Sequence, residues 1–256
     1  MPKAFLIPVF TVLLAALTSC VDENKTDDPS VAEVNLYSSR HYDTDQALYD
    51  NFTEATGIKV NLIEAGADEL IARIQSEGVS SPADLLITVD AGRLWRAEQA
   101  GIFQPVYSAV LADRLPDNMR HPEGLWMGLS KRARVIVYNR AAGMPEPLAT
   151  YADLANPVHK GKVCIRSSSN IYNISLMASI VARNGEAAAE EWAASVVANF
   201  ARTPQGNDTG QIRAVASGEC GIAIANTYYL ARLAVSEDPQ DQAVAAAVGI
   251  VFPDQA

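Results

Sequence analysis

Sulfur, imidazole and aromatic side chains are all scarce in this sequence. It holds three cysteines, three histidines and only 7% Phe, Trp and Tyr in 256 residues. So few cysteines argue against a zinc site, which draws on Cys and His. Neither G-x-S-x-G nor H-E-x-x-H occurs. Two of the histidines, His121 and His159, sit in proline-bearing stretches, HPEG and NPVHKGK, that read as solvated loops. Without a nucleophile–base pair in view a hydrolase is remote, and no enzyme is expected. Repeats and low-complexity tracts are absent, which leaves one large α/β domain or two lobes of ordinary size. Basic residues are outnumbered, 20 Lys and Arg against 30 Asp and Glu, for a formal net charge of −10, and they form no cluster. That balance argues against nucleic acid and against an anionic membrane surface, and it is compatible with a cationic ligand.

Long apolar runs are missing too, except at the start. MPKAFLIPVFTVLLAALTS carries one lysine and no acid, and its apolar part is short for a bilayer. Residues 1–19 therefore read as a secretory signal peptide. LTSC, Leu17 to Cys20, resembles the lipobox of bacterial lipoproteins, which implies lipidation of Cys20 and a membrane link through that anchor alone. The other reading is an ordinary signal peptide that happens to contain a cysteine. VDENKTDDPS then forms a flexible tether, the unit at 20–32. Loss of residues 1–19 removes one positive charge and takes the net charge from −10 to −11. With Cys20 committed, Cys164 and Cys220 remain. Both lie in strand-like runs, KVCIRS and GECGIAIA. An exported compartment permits a disulfide between them, with two buried thiols as the alternative.

What the chain does have is alternation. Short β-branched runs and helical patterns follow one another, as in open α/β sheets. VNLYSSR is a strand and DTDQALYDNFTEATG a helix with acidic residues near its start and Gly57 after its end. KVNLIEAG precedes the helix DELIARIQSEG, and PADLLITVD precedes AGRLWRAEQAG. KRARVIVYNR reads as a long strand entering a new region. KVCIRSSS leads into NIYNISLMASIVARNG, and GECGIAIAN into TYYLARLAVSE.

Three of these strand exits share a feature. SSRHYDTD, SSSNIYN and ANTYYL each set tyrosine within a few residues of a helix N-terminus, at the carboxyl end of a strand, where open α/β sheets bind ligands. Adjacent tyrosines in a strand would point to opposite faces. In a helix's first turn they stand roughly 100° apart and can both lean over its end, with Asn226 or Thr227 as the cap. Tyr37, Tyr49, Tyr107, Tyr138 and Tyr151 read as packing. Tyr42, Tyr172, Tyr228 and Tyr229, with His41 beside the first, form a set of hard oxygen donors plus an imidazole. Phenolate needs a strongly acidic cation to displace its proton, since the free group has a pKa near ~10. Calcium prefers carboxylates and carbonyls, so the ion that suits the set is Fe(III), bound as a ligand. Four phenolates exceed its charge by one, which calls for a cation behind them. Arg232, three and four residues past the paired tyrosines, lies on their helical face. Arg40 and Arg166 are further candidates.

SSRHYDTD, NIYN and NTYYLARL, with the flanking ATGIKV, PADLLITVD and RVIVYN, resemble the ferric iron-binding proteins of bacterial ABC importers, from about Val34 onward. The resemblance implies a periplasmic-binding-protein-like α/β fold, two lobes at 33–115 and 116–245 joined by crossing strands near 110–135 and 245–252. It implies Tyr42, Tyr172, Tyr228 and Tyr229 as ligands, His41 as a ligand in some members, and Arg232 behind them. The tyrosine at 172 implies that no synergistic anion is needed. The partner would be an ABC permease, the location periplasmic, and the protein a monomer. Family members run further, so 246–256 is expected to begin a truncated return to the first lobe. The same fold could instead serve another solute, such as an inorganic anion, a polyamine or an organic acid.

Overall fold

The computed structural model describes residues 32–40 and 42–255. The signal peptide, Cys20, nearly all of the tether and His41 lie outside the described residues. Among them, no helix is long and apolar enough to cross a membrane.

A parallel three-stranded sheet comes first. β1 (Glu33–Ser38) lies between β2 (Lys59–Glu64) and β3 (Leu85–Ile87). Leu36 sits opposite Leu62 on one side and Leu85 on the other, so all three strands end at one edge. α1 (Asp43–Thr56) and α2 (Ala67–Glu77) make the connections, and α3 (Ala91–Gln99) follows β3. α1 stops at Gly57, whose φ of 72° is free of strain only for a residue without Cβ. Leu36, Tyr37, Leu70, Ile71 and Ala97 form the buried centre of this half.

The segment that follows holds α4 (Ala109–Arg114) and an isolated bridge between Arg120 and Met127 where a crossing strand is expected. The second sheet then assembles in the order β5-β6-β4-β7. Its strands are β4 (Arg134–Asn139), β5 (Val163–Cys164), β6 (Ile222–Asn226) and β7 (Val248–Val251). β5 and β6 are parallel, whereas β4 runs antiparallel to both β6 and β7. α5 (Ile171–Asn184), α6 (Glu186–Ala198), α7 (Asp208–Ala216), α8 (Thr227–Ala234) and α9 (Pro239–Ala247) surround it.

Strand periodicity divides the core of this half. Ile222 and Ile224 of β6 join Ile136, Leu176, Ile180 and Val196 on one face. Ala223 and Ala225 join Val135, Val137, Ile212, Val215 and Leu233 on the other. With both faces covered, GIAIA reads as one apolar run. Cys164 and Cys220 are joined by a disulfide with their Cα atoms 5.9 Å apart, which ties β5 to the approach of β6.

Val248–Val251 pair antiparallel with β4, Ile136 opposite Val251, as the fourth strand of the second sheet. The apolar run of β4 is buried, so its backbone groups need partners on both sides, and β7 supplies those on one of them.

Candidate metal centre

Because β5 and β6 are parallel, both deliver the chain to the same edge of the second sheet, and each leads into a helix there. Tyr172 is the second residue of α5; Tyr228 and Tyr229 are the second and third of α8. The structure brings these three together. The hydroxyls of Tyr172 and Tyr228 are 3.2 Å apart. The rings of Tyr228 and Tyr229 lie 4.3 Å apart between centroids, tilted by 31°. All three side chains are partly buried.

The two helix starts are finished differently. Asn170 caps α5 by accepting from the Tyr172 backbone N–H at 3.0 Å. Asn226 occupies the cap position of α8 but makes no side-chain cap bond. Its Oδ1 accepts from Arg134 Nη1 at 3.2 Å instead. No side chain therefore covers the positive end of α8 from its cap position, beside the paired tyrosines.

Arginine lines the same edge. β4 is antiparallel to β6 and sets Arg134 opposite Asn226, so the start of β4 coincides with the exit of β6. The Arg132 guanidinium lies 5.1 Å from the Tyr172 ring centre and 5.7 Å from that of Tyr228. Its Nη1 donates to the Tyr172 hydroxyl at 3.4 Å. Arg134 and Arg166 stand 5.9 and 5.5 Å from the Tyr172 ring. Behind them Asp208, 0% exposed, accepts from Arg134 Nη1 at 3.1 Å, Arg166 Nη1 at 3.2 Å and the Asn226 backbone N–H at 2.8 Å. Asn173 completes the network, accepting from Arg134 Nη2 at 2.6 Å and donating to the Arg166 carbonyl at 2.9 Å.

These surroundings fix the resting protonation. Burial pushes the Tyr228 hydroxyl far above the ordinary phenol range, and its contacts with Tyr172 and Tyr229 push it further. Tyr229 is raised too, first by burial, with the Tyr228 hydroxyl and Arg166 working against the rise. Without a metal these two groups are neutral phenols at ordinary pH. Among the described residues no group of three His, Cys, Asp or Glu is placed to hold a metal ion. Clustered phenol oxygens are thus the donors on offer, and they suit a hard, strongly acidic cation.

Other expected site residues lie elsewhere. Tyr42 occupies the cap position of α1 at the exit of β1, in the first sheet, and makes no side-chain cap bond. The Arg40 guanidinium lies 4.9 Å from its ring centre, and among the described residues no hydrogen bond joins Tyr42 to the other three tyrosines. Arg40 itself is held by Asp45 through two bonds of 2.7 and 2.8 Å. His41 lies outside the described residues. Arg232, expected behind the paired tyrosines, is exposed on α8, while Arg166 of the same expectation is in the network. Arg132, not among the expected residues, lies against both Tyr172 and Tyr228. The signal for it is the alternation in KRAR, which sets Arg132 and Arg134 on one side of an extended chain. Asp208 offers no comparable signal beyond following the helix cap Asn207.

Both loop histidines are sequestered, contrary to expectation. His159 is fully buried, with Nε2 2.8 Å from the Pro147 carbonyl. His121 lies edge-on to Trp126 with Nε2 3.4 Å from Glu98. Tyr107, read as packing, is 79% exposed.

Residues 80–256 match the family described as bacterial extracellular solute-binding protein. Iron uptake protein A1 of Synechocystis sp. is 56% identical over 253 residues, 98% of this chain and 70% of that one. The solved Trichodesmium protein (IdiA, FutA) in complex with iron and citrate ligands is 61% identical, with a TM-score of 0.84 over 88% of this chain and 71% of that one. The ferric binding protein from Campylobacter jejuni is 41% identical, with a TM-score of 0.81 over 87% and 71%.

Proposed function

We infer function from family membership: this chain belongs to the bacterial extracellular solute-binding proteins, and within them it is a periplasmic protein that binds Fe(III) for an ABC importer. Transport of this kind needs capture and release and no bond-making step. The observation that carries the reading is the 3.2 Å contact between phenol oxygens that start two different helices, with Tyr229 stacked beside them.

In the proposed cycle Tyr172, Tyr228 and Tyr229 take the ion first, each giving up its proton. Tyr42, with His41 next to it, completes the shell as the units at 33–115 and 116–245 close. Four phenolates exceed the charge of Fe(III) by one, and Arg132, Arg134 and Arg166 offset that excess at close range. The role first given to Arg232 passes to them. Release follows when transport, protonation or reduction undoes closure, since Fe(II) is a poorer match for phenolate. A lipid anchor at Cys20 and a monomeric state complete the proposal.

Phenolate bound to Fe(III) absorbs visible light, so loading the protein with ferric nitrilotriacetate is expected to colour it. Tyr228→Phe with Tyr229→Phe should remove the colour and most of the affinity measured by chelator competition. Iron affinity unchanged in that double variant sinks the reading.

A further inference from the structure

We propose that Asp90 and Gly92 are positioning residues that lock the first turns of α5, and with them Tyr172, against the exit edge of the first sheet. This role rests on the ferric-binding reading above and adds the contact that keeps donors from the two sheets in register.

Asp90 follows β3 and caps α3 with φ 81° and ψ 136°. A residue with a Cβ adopts that region only when its surroundings hold it there, and such positions gather at functional sites. Asp254 is the other non-glycine residue with positive φ among the described residues. The Asp90 Oδ1 accepts from the Gly92 backbone N–H at 2.9 Å, which caps α3. The same oxygen accepts from the Ser175 hydroxyl, which belongs to α5. One carboxylate thus joins elements that flank different sheets. α3 against α5 is the main packing between helices of the two halves.

Gly92 makes the approach possible. A Cβ there would lie 3.0 Å from Ile171 Cδ1 and 3.2 Å from Ser175 Oγ. Ile171 immediately precedes Tyr172, and Ser175 is about one turn beyond it. On the other side the Ser39 hydroxyl donates to Thr88 Oγ1 at 3.1 Å, and the Ser39 backbone N–H donates to the Ile87 carbonyl at 2.9 Å. Ser39 is three residues before Tyr42 and Thr88 two before Asp90. A continuous strap therefore runs from the loop that carries Tyr42, through Thr88 and Asp90, to the turn that carries Tyr172. Neither Asp90 nor Gly92 supplies a donor to the metal; both act through Tyr172.

The test loads the full chain with ferric nitrilotriacetate, adds excess EDTA, and follows loss of the visible band. Asp90→Gly removes the carboxylate while keeping a residue that tolerates this φ and serves as a helix cap. It should release iron about tenfold faster or more, the loss expected for a hydrogen bond to a charged group. Gly92→Val should also speed release by crowding Ile171, and Ser175→Ala should do so without touching α3. In all three the band should stay at its original wavelength, because no donor changes. Asp90→Asn keeps an acceptor oxygen and should restore a rate close to that of the unaltered chain. Unaltered release in Asp90→Gly and Ser175→Ala overturns the proposal, as does a displaced band. A colourless unaltered protein instead removes the ferric reading, and this role with it.

Discussion

Asp208 binds the site together from beneath. It has no exposed surface, and its two oxygens serve two guanidiniums and one backbone N–H. Each partner leads to the tyrosines: Arg134 and Arg166 lie over the Tyr172 ring, and Asn226 begins the helix of Tyr228 and Tyr229. The carboxylate therefore holds the arginines near the phenols and also limits the positive charge those phenols face. Removing one partner of a buried ion pair leaves the others uncompensated, at a cost of about 3–5 kcal/mol. Asp208→Ala is expected to lower unfolding free energy by that order, read from urea denaturation of the metal-free protein. Asp208→Asn keeps an acceptor for Asn226 and should lose less. Equal stability of Asp208→Ala and the unaltered chain would show that the two arginines find other partners. At this scale the tyrosines were legible, because each sits at a strand exit where a helix begins. Arg166, at the exit of β5, was legible for the same reason, but Arg132 and Arg134 were not: β4 runs against β6, so it presents its start at that edge, and a search of strand exits passes over it.

The strand β5 has only two residues, Val163 and Cys164, yet it launches the segment that carries Arg166 and Tyr172. So short a strand has little ladder of its own, and Cys164 is anchored across to Cys220 by the disulfide, 56 residues away in sequence. A cross-link of this kind contributes about 2–4 kcal/mol. Replacing both cysteines by alanine is expected to cost that much in urea unfolding and to weaken iron retention, since the turn before α5 loses its anchor. Stability lost with iron retention intact would separate β5 from the site. Elements were readable where a local rule acts alone, as in α1 with its acidic start and Gly57 stop. α6, EAAAEEWAASVVA, follows α5 with only Gly185 between them, and its alanines form no apolar stripe distinct from the rest. α7 carries Gly210 in its first turn and buries Asp208 and Gln211, polar residues that a sequence assigns to the surface. KVCIRS reads as a strand-like run but pairs with β6 over two residues, because that pairing ends where the chain turns toward α5.

The molecule as a whole is acidic, with a formal net charge of −10, while the edge that gathers the tyrosines is lined by guanidiniums. The two features act at different ranges. An acidic surface raises the local concentration of cations over about a Debye length of ~8 Å. At that edge, fixed positive charge disfavours a cation until the phenols have lost their protons, and then it favours the phenolates formed. On the proposed reading, capture and proton release are a single event. The sign follows from the metal-free state: burial raises the pKa of Tyr228 and Tyr229, so both hold protons at neutral pH and the metal must displace them. Falling pH therefore opposes binding, and rising pH favours it until the ferric ion hydrolyses. If Tyr172, Tyr228 and Tyr229 all bind as phenolates, about three protons leave per iron, and the logarithm of affinity changes by about three for each pH unit. A pH-stat titration with ferric nitrilotriacetate measures the release directly. The same addition to the Tyr228→Phe, Tyr229→Phe variant subtracts the contribution of the chelate. Release near zero in the unaltered protein, together with an affinity indifferent to pH, would mean that the ion is held by neutral groups and that the phenols serve only as walls.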